Sequence, residues 1–157
     1  MPYSYKPHAF EEFDVGQTFL SPGRTITEAD VVLQSMLSGD WTEFHTNDEY
    51  ARESTFGERI AHGPLTFSVA IGLMYRCGFL TRTSAGLAAM EEVAFVNPLH
   101  VGETVYVDLE VIDTHDISRE DVGIVEMAMA VLTEDGTRIF ECVLTLLVHR
   151  RAELEWT

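Results

Sequence analysis

The sequence predicts an α+β fold in which an antiparallel sheet wraps around one long buried helix. Residues 63–79, GPLTFSVAIGLMYRCGF, are apolar on nearly all sides, which is typical of a helix buried within a fold. The second half of the chain instead alternates apolar and polar residues, the period of half-buried strands. With 157 residues, 46% of them hydrophobic, we expect a single domain over residues 1–157.

The first elements in chain order are two short strands and a helix. Strands are predicted at 18–20 and 24–26, on either side of the Pro22-Gly23 turn. The helix begins at Thr27, because Thr27 and Asp30 have the spacing of a capping box, and it ends at Gly39. Apolar residues recur along it at helical spacing, and we expect this stripe to face the core: Ala29, Val32, Leu33, Met36 and Leu37.

The remaining elements follow from similar signals. A short helix is expected at 48–51, and Pro64 suits the first turn of the long helix because proline has no N–H to leave unsatisfied. Strands are predicted at 90–96, 103–113, 122–133 and 138–149. Asp135-Gly136 is a strong hairpin signal between the last two.

An acid and a histidine stand just after the first helix. Asp40 precedes His45 by five residues, so their side chains converge only if Gly39 ends the helix and residues 41–44 form a turn. Such a pair can hold one water and move its proton. Gly63 would add a backbone N–H at the positive end of the long helix, where a carbonyl oxygen gaining charge is stabilised; the alternative is that Gly63 only caps that helix.

The segment around this pair resembles the signature of a known family. SGDWTEFHTNDEYA followed by FGERIAHGPL is similar to the MaoC-like dehydratases, the (R)-specific enoyl-CoA hydratase group with the hot-dog fold. That signature commonly reads Gly-Asp-x-Asn-Pro-x-His and then Phe-Gly-x-x-Ile-Ala-His-Gly. The similarity extends to FEEFDVGQTF near the N-terminus and to VNPLHVGET before the last strands, so it covers most of the chain.

The resemblance implies a function and a site. Asp40 and His45 match the catalytic acid/base pair, and Gly63 matches the oxyanion donor. The implied reaction is hydration of a 2-enoyl-CoA thioester to the (R)-3-hydroxyacyl thioester, or the reverse dehydration, with no cofactor besides the CoA of the substrate. The family also implies a homodimer with the thioester site near the interface. Substrate contacts are expected from Thr42, Arg59, Pro64, Leu65 and Phe67.

The chain departs from the signature at Thr42 and Glu43, which replace Asn-Pro. The family's asparagine helps to hold the catalytic water, and the threonine side chain is shorter. We therefore expect low activity on short unbranched enoyl-CoA and a gain with Thr42→Asn. Alternatively, the changed loop admits a bulkier or more polar acyl group.

The charge of the chain bears on its partners. A formal net charge of −16 argues against general nucleic-acid binding, which depends on attraction to phosphates. CoA is also a polyanion, so its site needs a local basic patch. Arg52, Arg59, Arg76 and Arg82 are candidates for it; the alternative is that they are solvated partners of neighbouring acids.

Other site types are not expected. His62 is interpreted as a buried, hydrogen-bonded histidine rather than a metal ligand or a third catalytic group, and no metal is predicted. Cys77 and Cys142 lie in apolar surroundings without metal-ligand spacing. No signal peptide is visible, and the longest uncharged apolar run, 63–75, is shorter than the ~20 residues of a membrane span, so a cytoplasmic protein is expected.

Two other functions remain open. The hot-dog fold also hosts hydrolysis, so an acyl-CoA thioesterase is the alternative enzyme. A non-catalytic acyl-thioester-binding subunit that lost activity through the Thr42-Glu43 change is the alternative outside catalysis.

Overall fold

The computed structural model describes residues 6–154. Within this range, six strands and four helices make up the fold. The strands are β1 (Thr18–Leu20), β2 (Arg24–Thr25), β3 (Ser84–Phe95), β4 (Thr104–Asp116), β5 (Val122–Thr133) and β6 (Arg138–His149). The helices are α1 (Glu28–Ser38), α2 (Glu43–Thr46), α3 (Asp48–Glu53) and α4 (Gly63–Arg76), and short 3-10 turns lie at Phe10–Glu12 and Arg151–Glu153.

The strands form one antiparallel sheet whose inner face packs on α4. The strand order is β1-β4-β5-β6-β3, and β2 also pairs with β4. Inward-facing residues of β4, β5 and β6 alternate with outward-facing ones, as the sequence pattern predicts. The α+β prediction is therefore confirmed. The buried inward residues are Val105, Val107, Leu109 and Val111 of β4, Val125, Met127, Met129 and Val131 of β5, and Phe140, Cys142, Leu144, Leu146 and Val148 of β6.

The ends of α1 agree with the sequence, but its buried face does not. Thr27 and Asp30 form the predicted capping box, and Gly39 ends the helix in the left-handed conformation at φ 77°. The stripe predicted to face the core is exposed, and Leu37 is 86% exposed. The helix packs instead through Val31 and Ser35, because the serine hydroxyl lies within hydrogen-bond distance of buried His62. Helical periodicity locates an apolar stripe without showing what covers it.

Helix α4 packs one face into the core, as expected for the central helix, and exposes the other face. Its inner face, which includes Leu73 and Met74, is buried, whereas Ser68, Gly72 and Tyr75 are exposed. The strand beside it, β3, ends the strand order of the sheet and is exposed along most of its length. A single chain therefore leaves one side of its central helix open.

Two contacts show how α4 and β3 lie side by side. At one end, Gly63 is so close to Phe95 that an added Cβ would stand 2.7 Å from the ring. At the other end, the Tyr75 hydroxyl lies 2.8 Å from Ser84 Oγ. Helix and strand therefore run in opposite directions and form one continuous exposed surface, called the α4–β3 surface here. Its exposed residues are Ser68, Gly72, Tyr75 and Arg76 of α4 and Leu87, Met90, Val93 and Phe95 of β3.

Both cysteines are free thiols inside the packed part of the fold. Cys142 is buried on β6, and Cys77 is half-buried just after α4. Among residues 6–154, no helix is long and apolar enough to cross a membrane.

Candidate active site

The predicted convergence of Asp40 and His45 is observed. Gly39 ends α1, and the chain then turns into the short helix α2, which carries His45. His45 Nε2 lies 3.9 Å from Asp40 Oδ2. This distance is too long for a direct hydrogen bond, but one water can bind both atoms at ~2.8 Å.

Thr42 contacts the acid itself. Its hydroxyl donates to Asp40 Oδ1 at 2.5 Å, and its backbone N–H donates to the same oxygen at 3.1 Å. Oδ2 is left to face His45. The hydroxyl bond and then the backbone bond hold the pKa of Asp40 below its usual value, so the carboxylate is ionised at neutral pH.

His45 is buried and presents one ring nitrogen to Asp40. Its Nδ1–H donates to the carbonyl oxygen of Ile60 at 2.7 Å, which leaves an unprotonated Nε2 in the neutral ring. Burial lowers the pKa of His45, against smaller opposing effects from the Ile60 bond and from Asp40. Near neutral pH the pair therefore consists of a carboxylate and a neutral imidazole, and both can accept a proton from water.

His62 stacks on His45 and links three parts of the site. The two rings are 3.7 Å apart at their centroids, and His62 is 1% exposed. Its Nε2 lies 3.1 Å from the carbonyl oxygen of Asp40 and 3.2 Å from Ser35 Oγ. His62 is also the N-cap residue of α4, directly before Gly63. The prediction of a buried, hydrogen-bonded histidine is confirmed, and the sequence did not show that it lies against the pair.

Folding brings together possible metal ligands whose spacing along the sequence is not typical of a metal site. Atoms of Asp40, His45 and His62 lie within 4.8 Å of one another. A bond to the Asp40 carbonyl would place the proton of His62 on Nε2, so that Nε2 would not be a ligand, whereas the buried Nδ1 has no hydrogen-bond partner within residues 6–154. A second group with the same spacing, Asp113, His115 and Glu126, lies mostly exposed on β4 and β5. The absence of a metal remains a prediction.

A cavity of about 490 Å³ opens beside His45 and Gly63. Gly63 is the first residue of α4, so its N–H has no acceptor within the helix, and Pro64 has no N–H at all. Phe95 packs against Gly63, which gives a second reason for glycine there. The lining is mainly apolar and comes from separate segments: Phe44, His45, Phe56, Ile60, Ala61, Gly63, Thr66, Phe95, Val96, Asn97, Pro98, Leu99 and Ile139.

The other predicted substrate contacts lie outside this lining. The guanidinium of Arg59 is paired with Glu28 and Asp48. Leu65 is buried and lines a groove between α1 and α4, and Pro64 is exposed. Phe67 is half-buried and packs towards Phe140 of the core.

Sequence reasoning missed most of the cavity lining. Thr66, the residue between Leu65 and Phe67, is the one on this helix that joins Gly63 in the wall. Phe95 and Ile139 come from distant strands. Nothing in their local sequence distinguishes them from other apolar strand residues.

Comparison with known proteins gives a family and several relatives. A family model described as "MaoC like domain" matches residues 12–133. Protein MaoC of Klebsiella aerogenes is 41% identical over 100 residues, which are 64% of this chain and 29% of that protein. The (R)-specific enoyl-CoA hydratase of Rhodospirillum rubrum is 32% identical over 98 residues, 62% of this chain and 65% of that enzyme. The matches therefore span less than two thirds of the length of either relative.

Solved structures show the same architecture. The monoamine oxidase regulatory protein from Archaeoglobus fulgius is 26% identical, with a TM-score of 0.84 over 92% of this chain and 95% of that chain. A Mycobacterium tuberculosis protein with a double hot-dog fold is 17% identical, with a TM-score of 0.83 over 96% of this chain and 47% of that chain. The chain therefore belongs to the MaoC-like domain family and has the hot-dog fold.

Proposed function

We propose that the protein is a hydratase/dehydratase that adds water to 2-enoyl thioesters of CoA or removes it from (R)-3-hydroxyacyl thioesters. The observation that carries this proposal is the 3.9 Å separation of Asp40 Oδ2 and His45 Nε2 beside a cavity that Gly63 also lines. The (R)-specific hydratase among the relatives supports the same reaction and stereochemistry.

The first step is polarisation of the substrate. The thioester oxygen accepts a hydrogen bond from Gly63 N–H, whose position at the start of α4 adds the positive end of the helix dipole. This contact draws electrons from the C2–C3 double bond and stabilises the enolate-like intermediate. The apolar wall around Phe44, Phe56 and Phe95 accommodates the acyl chain.

The second step is addition of water held between the pair. An O–H bond of the water breaks as its oxygen bonds to C3, and either Asp40 or His45 takes the proton. That proton then passes to C2, so the pair returns to its starting state and no redox cofactor is consumed. Dehydration follows the same path in reverse.

The decisive assay follows crotonyl-CoA in the presence of a thiol reagent. Loss of the enoyl absorbance without thiol release is expected and shows hydration. Thiol release would show a thioesterase instead, and binding without turnover would show a non-catalytic subunit; either result would overturn the proposal.

We also propose that the protein is a homodimer or a multiple of dimers. The α4–β3 surface exposes apolar side chains beside an unpaired strand edge, and such edges favour pairing. The double hot-dog relative, of which this chain covers 47%, carries two such units in one chain. Light scattering at micromolar concentration should give at least twice the 17.6 kDa of one chain, and a mass of 17.6 kDa would refute the proposal.

A further inference from the structure

The basic side chains divide into those that are neutralised and those that are not. Seven of the ten form ion pairs with Asp or Glu; Arg59, for example, holds two carboxylates. Within residues 6–154, no carboxylate lies within 4.0 Å of Arg52, Arg76 or Arg82, so these three keep their charge for another partner. In a chain with net charge −16, such cations are the best candidates to bind an anion.

Two of these cations lie together at one end of the α4–β3 surface. Arg76 is the last residue of α4, and Arg82 stands two residues before β3. Both are exposed, and the bond between Tyr75 and Ser84 ties their segments together. Arg82 has φ 64°, a conformation that is uncommon for a residue other than glycine.

The catalytic pair lies at the opposite end of the same surface. Gly63 and Phe95 mark that end, and α4 separates it from Arg76 by 14 residues, a length of about 20 Å. Within one chain, a carrier bound to both ends would have to follow the exposed face of α4. The proposed dimer covers that face.

A two-fold axis brings the two ends together. An isologous dimer uses the same surface on both copies. Two copies of one strand edge can hydrogen-bond across the axis only in antiparallel orientation. In a parallel arrangement related by a two-fold axis, each N–H would face the same N–H of the other copy instead of a carbonyl oxygen. The Ser84 end of β3 in one copy then lies beside the Phe95 end in the other. Arg76 and Arg82 of one copy thereby approach the catalytic end of its partner.

We propose that Arg76 and Arg82 of one copy bind the phosphate groups of the carrier whose thioester reacts at Asp40, His45 and Gly63 of the other copy. This proposal rests on the proposed hydratase function. CoA and the phosphopantetheine arm of a carrier protein both hold phosphate at the far end of a long flexible arm, so the shared chemistry is a phosphate ester. Guanidinium groups suit it because they donate paired charge-assisted hydrogen bonds.

The kinetic test compares three thioesters that carry the same enoyl group on different carriers. The carriers are CoA, 4′-phosphopantetheine and pantetheine, which has no phosphate. In the variant Arg76→Gln/Arg82→Gln, KM for the CoA thioester should rise by about tenfold or more, with kcat retained, because two charged hydrogen bonds to phosphate are lost away from the reacting atoms. KM for the pantetheine thioester should not change. The phosphopantetheine thioester shows which source binds: a rise as large as with CoA points to the arm phosphate, and a smaller rise to the nucleotide phosphates.

Control variants separate charge from fold and location. Arg76→Lys/Arg82→Lys keeps the charge and should restore most of the affinity, and Arg119→Gln, an exposed residue in the β4–β5 connection, should have no effect. An unchanged KM for CoA in the double Gln variant, or a rise in KM with Arg52→Gln alone, would overturn the proposal. Failure of the wild type to hydrate any of the three thioesters would refute the proposed function instead.

Mixed dimers test whether the contact crosses between copies. Asp40→Asn chains and Arg76→Gln/Arg82→Gln chains are co-expressed with different tags, and the heterodimer is isolated. If the arginines act on the partner's site, the heterodimer has one site with an intact pair and intact arginines, and activity with wild-type KM returns. If they act on their own site, neither site is complete, and activity at low CoA-thioester concentration stays lost, which would overturn the proposal.

Discussion

The two ends of α4 differ in nearly everything around them. At Gly63 the helix begins beside a carboxylate and two stacked imidazoles, and apolar rings close the cavity. At Arg76 it ends among exposed polar side chains and two cations that have no carboxylate partner within residues 6–154. The first end therefore combines an acid, two histidines and a cavity, whereas the second presents exposed positive charge.

The difference shows how one helix can divide chemistry from recognition. If the proposed function is right, changes at the Gly63 end should lower kcat, because the groups there would act on the reacting atoms. Changes at the Arg76 end should raise KM and leave kcat unchanged, because the arginines would act on a distant part of the substrate.

The largest effect is expected from the pair itself. Asp40→Asn and His45→Ala should each lower kcat for crotonyl-CoA hydration by ~10²-fold or more, since each removes an acid/base group, while KM changes little. Circular dichroism and thermal unfolding should confirm that the variants are folded. If either folded variant retains most of its activity, the proposed mechanism is wrong.

A smaller loss is expected when His62 is changed. His62→Ala removes the support of the Asp40 main chain and the stacking surface of His45, and a shift of a few tenths of an ångström should lower kcat by roughly tenfold. His62→Gln can still donate to the Asp40 carbonyl and should recover part of the rate.

The comparison is made on kcat and KM well below the unfolding temperature of each variant. An equal loss of kcat in the Ala and Gln variants, or a lower stability with an unchanged kcat, would show that His62 only stabilises the fold.

Thr42 should have a more modest effect. Thr42→Val removes the hydroxyl that holds Asp40 Oδ1 and should lower kcat several-fold, whereas Thr42→Ser keeps a hydroxyl at that position and should not. Thr42→Asn, which restores the family's residue, is expected to raise kcat/KM on crotonyl-CoA.

Branched and carboxylated enoyl-CoA substrates serve as the comparison for Thr42→Asn. High wild-type activity on crotonyl-CoA without improvement in this variant would show that the substitution is neutral.

The smallest effect is expected from pH, because kcat/KM should not fall near neutral pH. Protonation of His45 fills the Nε2 lone pair, so activity requires a pH above the pKa of His45, which burial holds below 6.5. The acid limb of kcat/KM should therefore lie below pH 6.5, and an inflection above that value would contradict the neutral state of His45.

Much of the fold could be predicted because its signals are local. The bounds of β5 and β6 follow from alternating inward-facing apolar residues and a hairpin turn, and the ends of α1 follow from a capping box and one glycine. β3 was expected to begin at residue 90 and begins at Ser84 instead. Its first residues, SAGLAA, are small apart from Leu87 and carry little strand signal.

The candidate site was predictable only in part, for the same physical reason. Asp40, His45 and Gly63 lie in one contiguous signature, so the sequence predicts all three as site residues. The cavity wall at Phe95, the ion pairs of Arg59 and the stacking of His62 on His45 depend on packing between distant segments. The stripe on α1 shows the same limit for the fold. Its helical periodicity can be read from the sequence, but whether another segment covers it cannot, and the stripe is exposed.

The burial of the two cysteines has a practical consequence for enzymology. Desolvation raises the pKa of Cys77 and of Cys142 to about 11 each. At pH 8 only roughly one thiol in a thousand is then the reactive thiolate, so the protein itself consumes colorimetric thiol reagents slowly. Coenzyme A released by hydrolysis stands out against that low background, and the assay that separates hydration from thioester cleavage needs no cysteine-free variant.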